Sequence, residues 1–152
     1  VRALIQRVST ASIRIDREPG GTIGPGLVVF LGVNHSSEQE DTRWLAEKIL
    51  KLRLFEDGNV SSTGQKSVTD IAGGLLVVSQ FTLHASTQKG TKPSYHRAAA
   101  PEIAEPLYDH FVQTLRALYQ GPIETGRFGA YMQVELNNDG PVTILIDSKN
   151  RE

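Results

Sequence analysis

The sequence predicts an α+β fold: a largely antiparallel, twisted sheet with two main helices, in a single domain over residues 1–152. Three observations predict it. The continuous apolar runs LVVFLGV (27–33) and LLVVS (75–79) have the length and β-branched content of buried strands. The segments 37–52 and 101–119 carry apolar residues at helical spacing. The remaining chain offers short alternating segments between Gly- and Pro-rich stretches, about seven strands in all, with no regular strand–helix repeat.

In chain order, residues 2–9 (RALIQRVS) and 11–16 read as two strands, with Ile13 and Ile15 alternating against polar neighbours. Pro19-Gly20-Gly21 and Gly24-Pro25-Gly26 mark turns. After the central strand 27–33, Ser37 and Glu40 have the spacing of a capping box. Trp44, Leu45, Ile49 and Leu52 form the helical stripe behind it, which places Trp44 in the core. Residues 53–56 suit a short strand, and the polar DGNVSSTGQKS (57–67) a mobile loop. LLVVS runs straight into Gln80-Phe81-Thr82-Leu83. Residues 84–100 lack periodicity and form a long surface loop, a length that is uncommon unless functional or disordered. Ile103, Leu107, Phe111, Leu115 and Leu118 line the second helix. Pro106 costs about 3 kcal/mol inside a helix, so the helix is expected to start near Glu105 or bend there. Gly121-Pro122 ends it. AYMQVEL (130–136) and VTILID (142–147) alternate cleanly and read as a hairpin around NNDGPVT (137–143).

Composition bounds the chemistry. With 39% apolar and 22% charged residues the chain fits a soluble globular protein. A chain of 152 residues buries roughly 70% of its unfolded surface, enough for its own core. The absence of cysteine excludes disulfides and thiolate chemistry. No run of about 18 apolar residues exists, and the opening VRALIQRV lacks the apolar core of a signal peptide, so a cytoplasmic protein with no membrane partner is expected. The net charge of −1 argues against a chain that is basic overall. Yet no acidic residue falls between Asp70 and Glu102, where Lys89, Lys92 and Arg97 lie. That window suits either a solvated loop or a phosphate backbone.

The four histidines, His35, His84, His96 and His110, have no metal-binding spacing, so neither a metal site nor a cofactor is expected; they read as surface or capping residues, with His84 the exception to watch because it sits beside SQFTL. There is no G-x-S-x-G elbow, Walker loop or dinucleotide glycine fingerprint. A Ser-His-Asp triad is defined by geometry, and residue order does not decide it. In SQFTL, Ser79, Gln80, Phe81 and Thr82 end a buried strand with several hydrogen-bonding groups. They either satisfy nearby backbone or form a pocket whose N–H groups meet an acyl oxyanion. No base adjoins Thr82 to activate it as a nucleophile. In NNDGPVT, Gly140 permits close approach of another backbone and Pro141 has no N–H to donate. On residues alone, a trans turn is the default there, because cis X-Pro bonds make up about 5–6% in folded proteins.

These segments carry a resemblance. RALIQRVSTASIRID, GLLVVSQFTLHA, KGTKPS and ETGRFGAYMQVELNNDGPVT, in that order, resemble the D-aminoacyl-tRNA deacylase family of bacteria and eukaryotes nearly end to end. The second signature, N-x-G-P-V-T, falls on Asn138, Gly140, Pro141, Val142 and Thr143. The resemblance implies that family's fold, with a barrel-like sheet, and hydrolysis of the ester joining a D-amino acid to tRNA. It also implies a homodimer in which a cis Gly140–Pro141 motif enters the active site of the partner subunit as a chiral gate. Ser79, Gln80, Phe81 and Thr82 would line the receiving pocket, and Arg7 would steady the gate. An L-residue would drive its side chain into the gate, whereas glycine has nothing to exclude, so glycyl-tRNA mischarged on tRNA-Ala is an expected second substrate.

The resemblance favours attack by water assisted by the ribose 2′-OH over a Thr82 nucleophile, and makes Lys89, Lys92 and Arg97 a tRNA-facing surface. The chain departs from the family pattern at Tyr95, where phenylalanine is usual, at Pro106, and in 57–67. Two rivals remain from the sequence: a non-catalytic tRNA-binding module, and a related deacylase with different acyl specificity.

Overall fold

The structure is a computed structural model, and it describes residues 1–56 and 66–152. Its first strand, β1 (Arg2–Ile15), is a single 14-residue element rather than two. Nothing in Ser9-Thr10 breaks it, because neither residue is glycine or proline. The turn comes at Asp16 and Arg17, both with positive φ (49° and 71°). Pro19-Gly20-Gly21 therefore lies inside β2 (Glu18–Ile23) and does not form the expected turn. The glycine there serves close packing: a Cβ on Gly21 would stand 2.6 Å from the Glu124 carboxylate.

β3 (Gly26–Gly32) and β6 (Gly74–Ser79) are the two apolar runs. Between them lie α1 (Gln39–Lys51), β4 (Arg53–Phe55) and β5 (Lys66–Ser67). After β6 come a one-turn 3-10 helix (Phe81–His84), α2 (Pro101–Leu118), β7 (Ile123–Thr125) and β8 (Met132–Asp147). Of the expected loop 57–67, residues 57–65 lie outside the described residues, and 66–67 are β5.

The main sheet runs β2-β1-β3-β6-β7, with β8 on the other side of β1. β1 is its organiser: one edge pairs β3 through Arg2–Val8 and β2 through Ala11–Ile15, while the other carries β8 along its whole length. These pairings are antiparallel, whereas β3–β6 and β6–β7 are parallel. The two continuous apolar runs are thus a parallel pair buried on both faces, as such strands usually are. One face (Leu27, Val29, Leu75, Val77) packs under Leu45 and Ile49 of α1 and Phe111 and Leu115 of α2. The other (Val28, Leu76, Val78) meets Val8, Ile13 and Ile23 inside the curl of the sheet. The curl brings β2 against β6 and β7, which makes the sheet nearly barrel-shaped.

The expected hairpin around NNDGPVT is absent. Residues 132–138 and 143–147 do not pair with each other; both pair with β1, in one direction. Register jumps from Gln6↔Thr143 to Val8↔Asn138. Two steps along β1 therefore span five along β8, and the surplus residues leave the ladder as a wide bulge. A proline fits there because a bulge leaves its residues unpaired. The sequence misleads because a bulged strand and a hairpin share the same alternating flanks.

Both helices also differ in detail. α1 is capped by Glu38, whose N–H donates to Asp41 Oδ2 (2.8 Å), and not by Ser37. Ser37 is occupied one turn earlier, donating to Asn34 Oδ1 (2.7 Å). Trp44 is half-buried, packed on the edge of the core beneath Lys48 and Arg151. α2 starts at Pro101, which suits a first helical position, and continues through the exposed Pro106. Burial of Ala104, Leu107, Tyr108, Phe111 and Leu115 holds it, whereas Ile103 and Leu118 face solvent. No described helix is long and apolar enough to cross a membrane.

Candidate active site

β3 and β6 end side by side, Leu31 opposite Ser79, and the chain then turns away from the sheet. The Gln80 N–H donates to the Leu31 carbonyl (2.7 Å), and the 3-10 turn Phe81–His84 begins. As the first residues of a helical turn, Phe81 and Thr82 have N–H groups with no carbonyl one turn back. Beside them opens a cavity of about 390 Å³, walled by Leu31, Val33, Tyr95, Ala99, Tyr108 and Phe128 and edged by Ser79, Gln80 and Phe81. It is apolar and aromatic with a few polar groups at the rim, the usual make-up of a small-ligand site. Phe81 is more than half exposed and meets Tyr95 edge-on, with ring centroids 5.1 Å apart. The Tyr108 hydroxyl donates to the Val77 carbonyl (2.9 Å), which turns its ring into the wall; burial pushes that phenol well above its usual range.

The cavity gathers three of the four expected pocket residues. Thr82 does not line it: the side chain lies one step along the turn, where Oγ1 accepts from Gln80 Nε2. Phe128 and Tyr108 went unforeseen. The first sits in a polar, Gly-rich stretch without periodicity, and the second was hidden in a helix otherwise read as core.

The bulge of β8 forms the second group. Gly140–Pro141 is a cis peptide. Asn138 closes the base of the bulge, donating from Nδ2 to the carbonyls of Arg7 (2.9 Å) and Val142 (3.1 Å). Arg7, buried beneath, donates from Nε to the Asp139 carbonyl (3.1 Å) and from Nη1 to the Leu54 carbonyl. Gln6 donates to Thr143 Oγ1 (3.1 Å). Val142 is half-buried, while Gly140, Pro141 and Thr143 are exposed. A Cβ on Gly140 would meet only Asn138 Oδ1, at an ordinary 3.6 Å. Nothing among the described residues of its own chain requires glycine there.

The two groups lie apart. The bulge leaves the ladder between Gln6 and Val8, level with Arg7, which pairs Leu27 of β3; the cavity sits beyond Leu31 at the end of that strand. Four strand steps, Leu27 to Leu31, separate them along β3, about 13 Å.

Lys89, Lys92 and Arg97 are all exposed on the loop after the 3-10 turn, whose base is closed by a Ser86–Ser94 bridge and whose Tyr95 and Ala98 reach the cavity. His84, set apart among the histidines by its place beside SQFTL, is buried, and its Nε2 has no partner among the described residues. Burial lowers its pKa, with the Arg2 charge acting in the same direction. No group of three or more potential metal ligands occurs among the described residues.

A nearly closed sheet with two helices, carrying an apolar cavity at the end of its parallel strands, defines a small α+β fold. The chain belongs to the D-Tyr-tRNA(Tyr) deacylase family, whose model matches residues 4–147. It is 53% identical to a D-aminoacyl-tRNA deacylase of Opitutus terrae and 50% identical to one of Akkermansia muciniphila, over the full length of both chains in each case. Among solved structures it resembles the c-Myc DNA Unwinding Element Binding Protein, with a TM-score of 0.90 and 42% identity over 97% of this chain and 98% of that one. A probable eukaryotic D-amino acid tRNA deacylase shares the fold, with a TM-score of 0.81 at 17% identity over 95% and 97% of the two chains.

Proposed function

We propose that residues 1–152 act as one catalytic domain that hydrolyses the ester of D-aminoacyl-tRNA, releasing the D-amino acid and tRNA. The observation that carries this reading is a cavity at the SQFTL turn in a chain that shares half its residues, end to end, with deacylases. The aromatic walls suit the terminal base of the tRNA, since bases of single strands are held by stacking. The ester then lies at the rim, where the Phe81 and Thr82 N–H groups face the oxyanion as it develops. Thr82 Oγ1 is held by Gln80, and no carboxylate or imidazole bonds to it among the described residues, which supports water as the nucleophile, assisted by the ribose 2′-OH.

The gate is the main chain at Gly140 and Pro141, supplied by the partner in a homodimer. Three features support this. The bulge and cavity of one chain are about 13 Å apart along β3. Gly140 has open space around it among the described residues of its own subunit. β8 is a sheet edge of 16 residues with Leu145 exposed, and unpaired edges of that length are ordinarily covered. The basic loop with Lys89, Lys92 and Arg97 meets the tRNA backbone next to the cavity. With tRNA as substrate, the place of action is the cytoplasm.

Deacylation of D-Tyr-, L-Tyr- and Gly-tRNA tests the reading. The D-ester and the glycyl ester, the latter on tRNA-Ala, are cleaved and the L-ester persists; rapid loss of the L-ester refutes the gate. A purely nucleic-acid-binding role is the second reading, favoured by the 42% identity to a protein named for binding a DNA unwinding element. It predicts binding of tRNA without turnover.

A further inference from the structure

Arg2 opens β1 and is paired across the sheet with Asp147, the last residue of β8. Its guanidinium makes two bonds. Nε donates to Asp147 Oδ2 (3.0 Å), and Nη1 donates to the carbonyl of Leu83 (3.0 Å) in the middle of the 3-10 turn. Asp147 is itself fixed, accepting at Oδ1 from the Lys149 N–H (2.9 Å). The other side of the turn rests on Gly32. A Cβ there would stand 2.8 Å from the Gln80 carbonyl, 3.0 Å from the Leu83 side chain and 3.2 Å from the His84 ring. The turn is therefore seated on the end of β3 and held by one guanidinium from β1.

We propose that Arg2 is a positioning residue for deacylation, fixing through the Leu83 carbonyl the turn whose Phe81 and Thr82 N–H groups receive the oxyanion. This rests on the deacylase reading above. A one-turn helix has few bonds of its own, so its donors keep their aim only if outside groups restrain it. Backbone donors stabilise a transition state in proportion to how little they must reorganise. Arginine suits the task because its planar fork serves two acceptors at fixed angles, which a lysine ammonium does not reproduce. The Arg2 side chain is about one-third exposed, so its ion pair with Asp147 adds little stability and its value is geometric.

The test compares wild type with Arg2→Lys, Arg2→Ala and Asp147→Asn in single-turnover and steady-state cleavage of D-Tyr-tRNA, with a thermal melt of each. Expected is a fall in kcat of about ten- to a hundredfold for both Arg2 variants, as for a small misplacement near the reacting atoms, with KM little changed. Asp147→Asn falls in the same direction by less. Guanidinium ion, below denaturing concentration, restores part of the rate to Arg2→Ala and none to wild type. If Arg2→Ala does not fold, Arg2→Lys and Asp147→Asn decide the question. Folded variants with wild-type kcat, altered only in melting temperature, overturn the proposal and leave the deacylase reading intact. A wild-type protein that cleaves no D-aminoacyl ester overturns both.

Discussion

Arg7 grips Asp139 by its main chain: Nε donates to the Asp139 carbonyl at 3.1 Å, while Nη1 of the same guanidinium holds the Leu54 carbonyl of β4. The Asp139 carboxylate also lies 3.3 Å from Nε, but it is largely exposed, and exposed ion pairs add little. The carbonyl bonds matter more. Arg7→Met keeps the apolar stem and leaves both carbonyls without this donor. It should cost about 2–3 kcal/mol, as bonds to charged groups do, visible in denaturant unfolding. It should also raise cleavage of L-Tyr-tRNA relative to D-Tyr-tRNA, because the gate loses its anchor. An unchanged L-to-D ratio would mean the anchor serves stability alone.

Gly140→Ala separates folding from function. Among the described residues the added methyl meets only Asn138 Oδ1, at 3.6 Å, so a chain without its neighbour tolerates it and the unfolding free energy stays within about 0.5 kcal/mol. If the bulge enters another subunit's cavity, the methyl intrudes on the substrate, and D-Tyr-tRNA cleavage falls by more than about tenfold, a loss of at least one hydrogen-bond equivalent in the transition state. Full activity in this variant contradicts the gate.

Thr82→Ala tests the nucleophile. The hydroxyl accepts from Gln80 Nε2 and has no base bonded to it among the described residues, so most of the rate should survive, within about fivefold. Intact-protein mass spectrometry during turnover should show no acyl adduct on the wild-type chain. An adduct that disappears in the alanine variant would falsify the water mechanism.

His84 predicts an acid limit to stability. Burial chiefly, and the Arg2 and N-terminal charges with it, lowers its pKa below the ordinary 6.5, with a Gly32 backbone bond and the Asp147 charge opposing. The unfolded chain therefore binds the proton more readily than the folded one. Stability is complete above about pH 6.5 and declines as pH falls from there towards the folded-state value. Melting temperatures at about pH 7.5 and pH 5.5 measure the slope, and His84→Gln should flatten it. An identical slope in the variant assigns the acid loss to other groups.

The basic loop predicts a salt dependence. Replacing Lys89 and Lys92 by glutamate should weaken tRNA binding at low salt and lower the log–log salt slope by about two. Filter binding from low to physiological salt measures it, with Arg43, an exposed residue of α1, changed to glutamate as the control. No change in slope places the tRNA elsewhere.

Sequence reading went furthest where one physical rule decides a segment. The runs 27–33 and 75–79 announce buried strands because both their faces are covered, one by helices and one by the curled sheet. It failed where two structures share a pattern. Alternation on both sides of NNDGPVT fits a hairpin or a bulged strand, and only the partner, β1, distinguishes them. Pro106 carries a local cost, yet Leu107, Phe111 and Leu115 bury enough surface to carry the helix through it. At the site, Ser79, Gln80 and Phe81 were legible as a polar end to an apolar strand. Tyr108 and Phe128 were not, because their place on the wall depends on how α2 and the segment after β7 meet in space. Arg2 was equally silent, since its partners Leu83 and Asp147 lie 81 and 145 residues away.

The distance along β3 between the bulge and the cavity has a consequence for abundance. Their levels on the sheet are fixed by backbone pairing with β1, so no side-chain movement unites them within one polypeptide. If a second copy must complete each site, scarce subunits give working sites in proportion to the square of their number. Halving expression would then quarter proofreading capacity, and a cell would lose this safeguard faster than it loses the protein.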